Sequence, residues 1–197
     1  KMSIALHGTT LSSLLNAVSV ACSDLEGLLF GRIVMKPVRN SENKEQISTS
    51  LEEVVTLESF YPTGSVCSFY QADGCVNERK LSKFVKQANA SGEHKQLIGY
   101  FRFRRGVPLR MSFREAQLHQ ALTQQHKTRL VVLLSEECEK PFNVIGYSYA
   151  FLDQHGQSLS VHIENMVASS REEYNAFLAA SGPKWVSSSS SSSSSSS

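Results

Sequence analysis

Three successive stretches, QLIGYFRFRR, SFREAQLHQALTQQHK and RLVVLLSEE, confine this chain more tightly than any other part of its sequence. The first reads as a strand. The second opens with Ser112-x-x-Glu115, the spacing of a capping box, and reads as a helix. The third is a continuous apolar run of the kind a strand buried on both faces requires. A strand, a helix and a buried strand in that order point to an α/β fold, a mixed central β-sheet with about three flanking helices.

The rest of the chain continues the alternation. SIALHG predicts a strand, followed by a helix from Thr9 or Thr10 with Leu11, Leu14, Leu15 and Val18 on one face. LEGLLFGRIVM predicts a strand and RNSENKEQIS a polar loop. EEVVTLESFYP and SVCSFYQ read as neighbouring strands broken at Pro62 and Gly64. Asn77 is placed to cap a helix with the apolar stripe Leu81, Phe84, Val85 and Ala88. NVIGYSYAFLD and SLSVHIENM read as a late hairpin closed at DQHGQ. Residues 1–186 are expected to form one domain, and the eleven serines from Ser187 to Ser197 a disordered low-complexity tail.

Composition excludes little, but what it excludes matters. A formal net charge of +2 over 197 residues does not by itself imply nucleic acid or membrane. The apolar runs near the N-terminus are too short for a secretory leader, which needs about 7–15 such residues. Cys22, Cys67, Cys75 and Cys138 form no C-x-x-C pair, which fits reduced thiols. Cys67 and Cys75 could meet across a hairpin.

The charge that stands out is local. Arg102, Arg104, Arg105, Arg110 and Arg114 crowd into residues 100–115 against a single Glu115. Residues two apart on a strand share a face, so Arg102 and Arg104 project together while Phe101 and Phe103 face the other way. Two side chains from a strand and one from the following helix start is a metal-site arrangement. Taken alone, however, such arginines usually form a solvated face, and a capping box needs no function.

The spacing resembles the MPN (JAMM) metalloprotease core, in which H-x-H, seven residues and S-x-x-D hold zinc and its water. Here the histidine positions fall on Arg102 and Arg104, and S-x-x-D becomes Ser112 through Glu115. DLEGLLFG is similar to the family's E-x-x-G-L-L-x-G, which puts Asp24 in the place of the catalytic glutamate. Arginine offers five donors and no lone pair, so the resemblance implies a site without metal or catalysis. Asp24 and Glu115 are then expected to meet the arginines as ion pairs.

DLEGLLFG, SFY followed by VNE, IGYFRFRR and MSFREAQLHQAL further resemble the Abraxas family of inactive MPN subunits. That resemblance implies a scaffold pairing with, and activating, a JAMM zinc deubiquitinase subunit that acts on extended, non-degradative polyubiquitin. It also implies the other subunits of the cytoplasmic BRISC or nuclear Abraxas assemblies, with zinc only in the partner. Leu81, Phe84 and Val85 become partner-contact candidates and should be partly exposed, and Asn165 another by similarity. His119 and His126, seven apart on one helix, read as core or surface residues; Met111, Glu115, Leu118 and Leu122 as a core face. The competing reading is a nucleic-acid-binding module using the basic, aromatic strand 100–105.

Overall fold

The computed structural model describes residues 2–40, 48–90, 92, 95–139 and 144–164. Its elements are β1 (Met2–His7), α1 (Gly8–Ser19), β2 (Leu25–Asn40), β3 (Ser48–Gly64), α2 (Glu78–Ala88), β4 (Gln96–Arg105), α3 (Phe113–His126), β5 (Leu130–Glu139), β6 (Val144–Leu152) and β7 (Val161–Glu164). The seven strands form one sheet in the order β6-β5-β4-β2-β3-β1-β7. The mixed sheet and the three helices are those the sequence predicts. The compact unit containing them runs from Lys1 to Asn165. Met166–Ser197 form a second unit, so the polyserine expectation lies outside the described residues.

The β4-α3-β5 segment is the keystone. β4 and β5 pair in parallel, from Gly99 opposite Leu130 to Arg105 opposite Glu136, and α3 makes the crossover. β5 is buried on both faces because its side chains alternate between two cores. Leu130, Val132 and Leu134 join the cluster under α1, with Leu14 and Val18. Val131 and Leu133 join the cluster under α2 and α3, with Leu81, Leu118 and Leu122.

Three expectations are corrected. SVCSFYQ is not a strand: Cys67 is left-handed at φ 61° and only Tyr70 makes an isolated bridge, to Val76. The chain turns there to deliver Ser68 and Tyr70 to Glu26, as the site geometry below makes plain. Nor do β6 and β7 form a hairpin. The DQHGQ turn exists, with Asp153 N–H donating to the Gln157 carbonyl at 2.9 Å, but β6 pairs with β5 and β7 with β1 at the opposite edge. Only residues 153–160 span the two edges, and part of that length is spent in the turn. Six strand spacings of about 4.8 Å would exceed its reach if the sheet were flat, so the sheet curls. Phe151 of β6 and Ile4 of β1 accordingly share one core.

The third correction concerns Leu81 in the α2 stripe. Asn77 caps α2 as predicted, its side chain accepting from Lys80 N–H at 3.1 Å. Leu81, expected to be partly exposed, is only 1% exposed, whereas Phe84, Val85 and Ala88 are half-buried on the same core and so partly exposed as expected. The stripe is filled by the sheet beneath it because Leu28, Phe30 and Phe69 offer an apolar floor. Asn165 lies outside the described residues, as does the side chain of Cys138. Cys67 and Cys75 remain free thiols.

Candidate functional site

β4 presents two faces with different chemistry. Phe101 and Phe103 are fully buried among apolar side chains on one of them. On the other, Arg102 is 9% exposed and Arg104's side chain 12%, so neither arginine forms a solvated face. This also disposes of strand 100–105 as a nucleic-acid surface. It offers neither an open ring nor a free guanidinium.

What surrounds Arg102 is a set of three carboxylates from two segments, the entry to β2 and the first turn of α3. Its Nη1 donates to Glu26 Oε2 at 3.0 Å and its Nη2 to Asp24 Oδ2 at 3.2 Å. Its Nε lies 3.9 Å from Glu115 Oε1. Arg104 Nη1 sits 3.5 Å from Glu115 Oε2, while its Nη2 donates to the carbonyls of Pro108 and Arg110 at 3.2 and 2.7 Å. The loop that follows β4 is thus wrapped around Arg104. Ser135 Oγ adds a bond to the Val107 carbonyl at 2.7 Å.

Glu115 is held in place by its own helix end. Ser112 Oγ accepts from Glu115 N–H at 3.3 Å, and Ser112 N–H donates to Glu115 Oε2 at 2.6 Å. The predicted capping box is therefore formed, and it aims the buried carboxylate at the arginines. Tyr100 steadies the same turn through its hydroxyl, donating to the Glu115 carbonyl at 2.9 Å.

The sequence reading overlooked the central acid. Glu26 is 2% exposed, whereas the side chain of Asp24 is 41% exposed and Asp24 precedes the strand. Glu26 lies directly across the ladder from Arg102. Its Oε1 accepts from the N–H and hydroxyl of Ser68 at 3.0 and 2.9 Å. Its Oε2 also accepts from the Tyr70 hydroxyl at 2.8 Å. Burial, then the neighbouring Glu26 charge, raises the Tyr70 pKa far above the ordinary phenol range, which keeps it a donor. A signal was available, since a glutamate inside the apolar run LEGLLFG needs a buried partner. The neighbouring Gly27 has a reason of its own. Any Cβ there would collide with the Tyr61 carbonyl and the Phe101 ring.

The donor set does not suit zinc. Both strand positions carry guanidiniums, which have hydrogens to give and no lone pair. Asp24, Glu26 and Glu115 are each already engaged by Arg102, and a divalent cation would be repelled by it. The arginine takes a cation's place as the fixed positive centre linking β2, β4 and α3. Beside it opens a cleft of about 360 Å³ lined by Tyr70, Ala72, Arg102, Ser112, Phe113, Arg114 and Glu115, with Phe113 81% exposed at the rim.

The other weighed residues fall as core and surface. His119 is 1% exposed and packs 6.3 Å from the Tyr100 ring, while His126 Nε2 meets Glu78 Oε1 at 3.1 Å near the surface. Leu118 and Leu122 are core, with Met111 packed against them. Among the described residues no helix is long and apolar enough to cross a membrane.

The chain is similar to several known proteins. The family described as the BRCA1-A complex subunit Abraxas 1 MPN domain matches residues 5–169. A Rattus norvegicus protein named BRCA1-A complex subunit Abraxas 1 is 32% identical over 113 residues, covering 57% of this chain and 27% of that protein. Its Salmo salar namesake is 22% identical over 177 residues, covering 87% of this chain and 43% of that protein. The chain therefore spans less than half the length of these relatives. A solved JAB1/MPN domain protein from Archaeoglobus fulgidus superposes with a TM-score of 0.39 at 14% identity, covering 83% of this chain and 98% of that one.

Proposed function

The chain belongs to the family of the Abraxas 1 MPN domain, and from that premise we propose that it is a non-catalytic scaffold which pairs with, and activates, a zinc-dependent JAMM deubiquitinase subunit. One observation carries the reading. Arg102 and Arg104, on which the sequence resemblance puts the two histidine positions of a JAMM enzyme, have their charge taken up by Asp24, Glu26 and Glu115. A metal hydrolase must generate hydroxide on its ion, and this donor set leaves no ligand for one. The remaining role for the fold is to present surfaces to a competent subunit. The substrate of the pair is then extended, non-degradative polyubiquitin, and the pair works in the cytoplasm or nucleus alongside further subunits, in the latter case in the DNA damage response.

The test is co-expression with a JAMM subunit that retains H-x-H. The two should co-purify, the complex should hold one zinc attributable to the partner, and the partner's turnover should fall when it is separated. One tightly held zinc in the isolated chain, read by elemental analysis, would overturn the assignment. Co-purification with unchanged turnover would reduce this chain to a tether.

A further inference from the structure

The outward face of α2 is charged in a way that the fold does not need. Helical geometry turns about 100° per residue, which places Arg79, Lys83 and Lys86 within about 60° of one another, opposite the buried stripe of Leu81, Phe84, Val85 and Ala88. All three are exposed, as is Lys80 at their flank. They form a line about 10 Å long, at a rise of about 1.5 Å per residue. Among the described residues none of the four has an ion-pair partner. The one acid on the helix, Glu78, stands at the edge of this face and is engaged by His126 at 3.1 Å.

This arrangement opposes helix stability in two ways. Arg79 to Lys83 is an i, i+4 pair of like charges and Lys83 to Lys86 an i, i+3 pair, and both repel. Arg79 and Lys80 also stand in the first turn, where the helix dipole disfavours cations. A solvated face would be served as well by alternating charges. We propose that this face docks an acidic polypeptide segment, whose carboxylates relieve the repulsion along the helix.

Nucleic acid is the other polyanion such a face could meet. The shallow depression on it is lined by Glu78, Arg79, Ser82, Lys83, Lys86 and Gln87, with no aromatic ring on which a base would stack. The acidic polypeptide is therefore the better fit. The proposal is independent of the pairing proposed above, because it is read on the chain alone.

The test uses fluorescence anisotropy on the full chain with two labelled probes, a glutamate-rich peptide and an oligouridine, at physiological salt. Changing Arg79, Lys83 and Lys86 together to Gln should weaken peptide binding about tenfold, equal to about 1.4 kcal/mol. Changing Lys36, Arg110 and Arg114 to Gln, which alters the net charge equally, should leave it within about twofold. Thermal melts of both triples should match wild type, since every altered side chain is exposed. Equal loss in the two triples would show a non-specific charge effect and overturn the proposal. So would the absence of peptide binding, or oligouridine binding that is tighter than the peptide and lost in the α2 triple.

Discussion

Two successive turns of α3 bury titratable side chains and treat them in opposite ways. In the first turn Glu115, 5% exposed, is surrounded by Arg102, Arg104 and the N–H of Ser112. One turn further along the same face His119, 1% exposed, has no hydrogen-bond partner on either ring nitrogen among the described residues. Burial is nearly equal, so burial does not explain the difference. The first turn borders the strand end that carries two guanidiniums, and charge can persist there because it is neutralised locally. The next turn borders Leu118, Leu122 and Tyr100, where an imidazolium would stand alone. Desolvation pushes the His119 pKa down to about 4, more than the Asp153 charge offsets. One helix thus keeps a charge where the fold supplies a counter-charge and excludes it where the fold does not.

Removing the counter-charge tests the contrast at its strongest. Arg102→Met should destabilise the domain by roughly 3–5 kcal/mol, because Glu26 would remain buried without its cation and Glu115 would keep only Arg104. Urea unfolding reads this directly. Combining Arg102→Met with Glu26→Gln should recover a large part of the loss, since the two groups are directly bonded at 3.0 Å. A single variant within about 1 kcal/mol of wild type would mean that the arginine and acids are not a coupled set.

The difference between the two turns also marks how much the sequence disclosed. Period and composition identified β4, α3 and β5, because an apolar run and a capping box each have one economical physical solution. Arg102, Arg104, Ser112 and Glu115 were legible as a group because residues near in sequence occupy fixed positions on a strand end and a helix start. Glu26 was not, since its importance arises from lying across the ladder from Arg102, a contact between residues far apart in the chain. Asp24 has the right spacing to a glycine and does meet Arg102 at 3.2 Å as expected, but that local rule says nothing of Glu26. The late hairpin failed for the same reason. Alternation in Val161–Glu164 suits any open edge, and only the curl of the sheet brings β1 to it. The α2 stripe was correctly drawn but could not reveal the apolar floor supplied by β2 and by Phe69.

The second prediction concerns pH. His119 titrates near 4 in the folded chain and near 6.5 when unfolded, so between these values the unfolded state holds a proton that the folded state lacks. Stability should therefore rise as pH increases from about 4 to 6.5 and gain nothing further from this residue above that. Its share of the rise is on the order of 3 kcal/mol, at about 1.4 kcal/mol per unit. His119→Leu removes that share, so the variant minus wild-type difference should be small at neutral pH and grow as the solution is acidified. A difference that stays flat down to pH 4 would show that the imidazole reaches solvent when protonated.

The smallest effect separates the helix end from the charge set it supports. Ser112→Ala deletes the oxygen that accepts from Glu115 N–H, an N-cap loss of about 1 kcal/mol. The carboxylate of Glu115 is oriented by the backbone N–H of Ser112, which alanine retains. The cap and the ion-pair set are therefore adjacent in space but separable in energy. Ser112→Ala and Arg102→Met should then add to within about 0.5 kcal/mol, although both concern Glu115. Ser112→Asn, which keeps a capping oxygen, should lie close to wild type. A coupling well above that limit in the double variant would show that the serine side chain positions Glu115 for the arginines, and that the first turn of α3 is one indivisible unit.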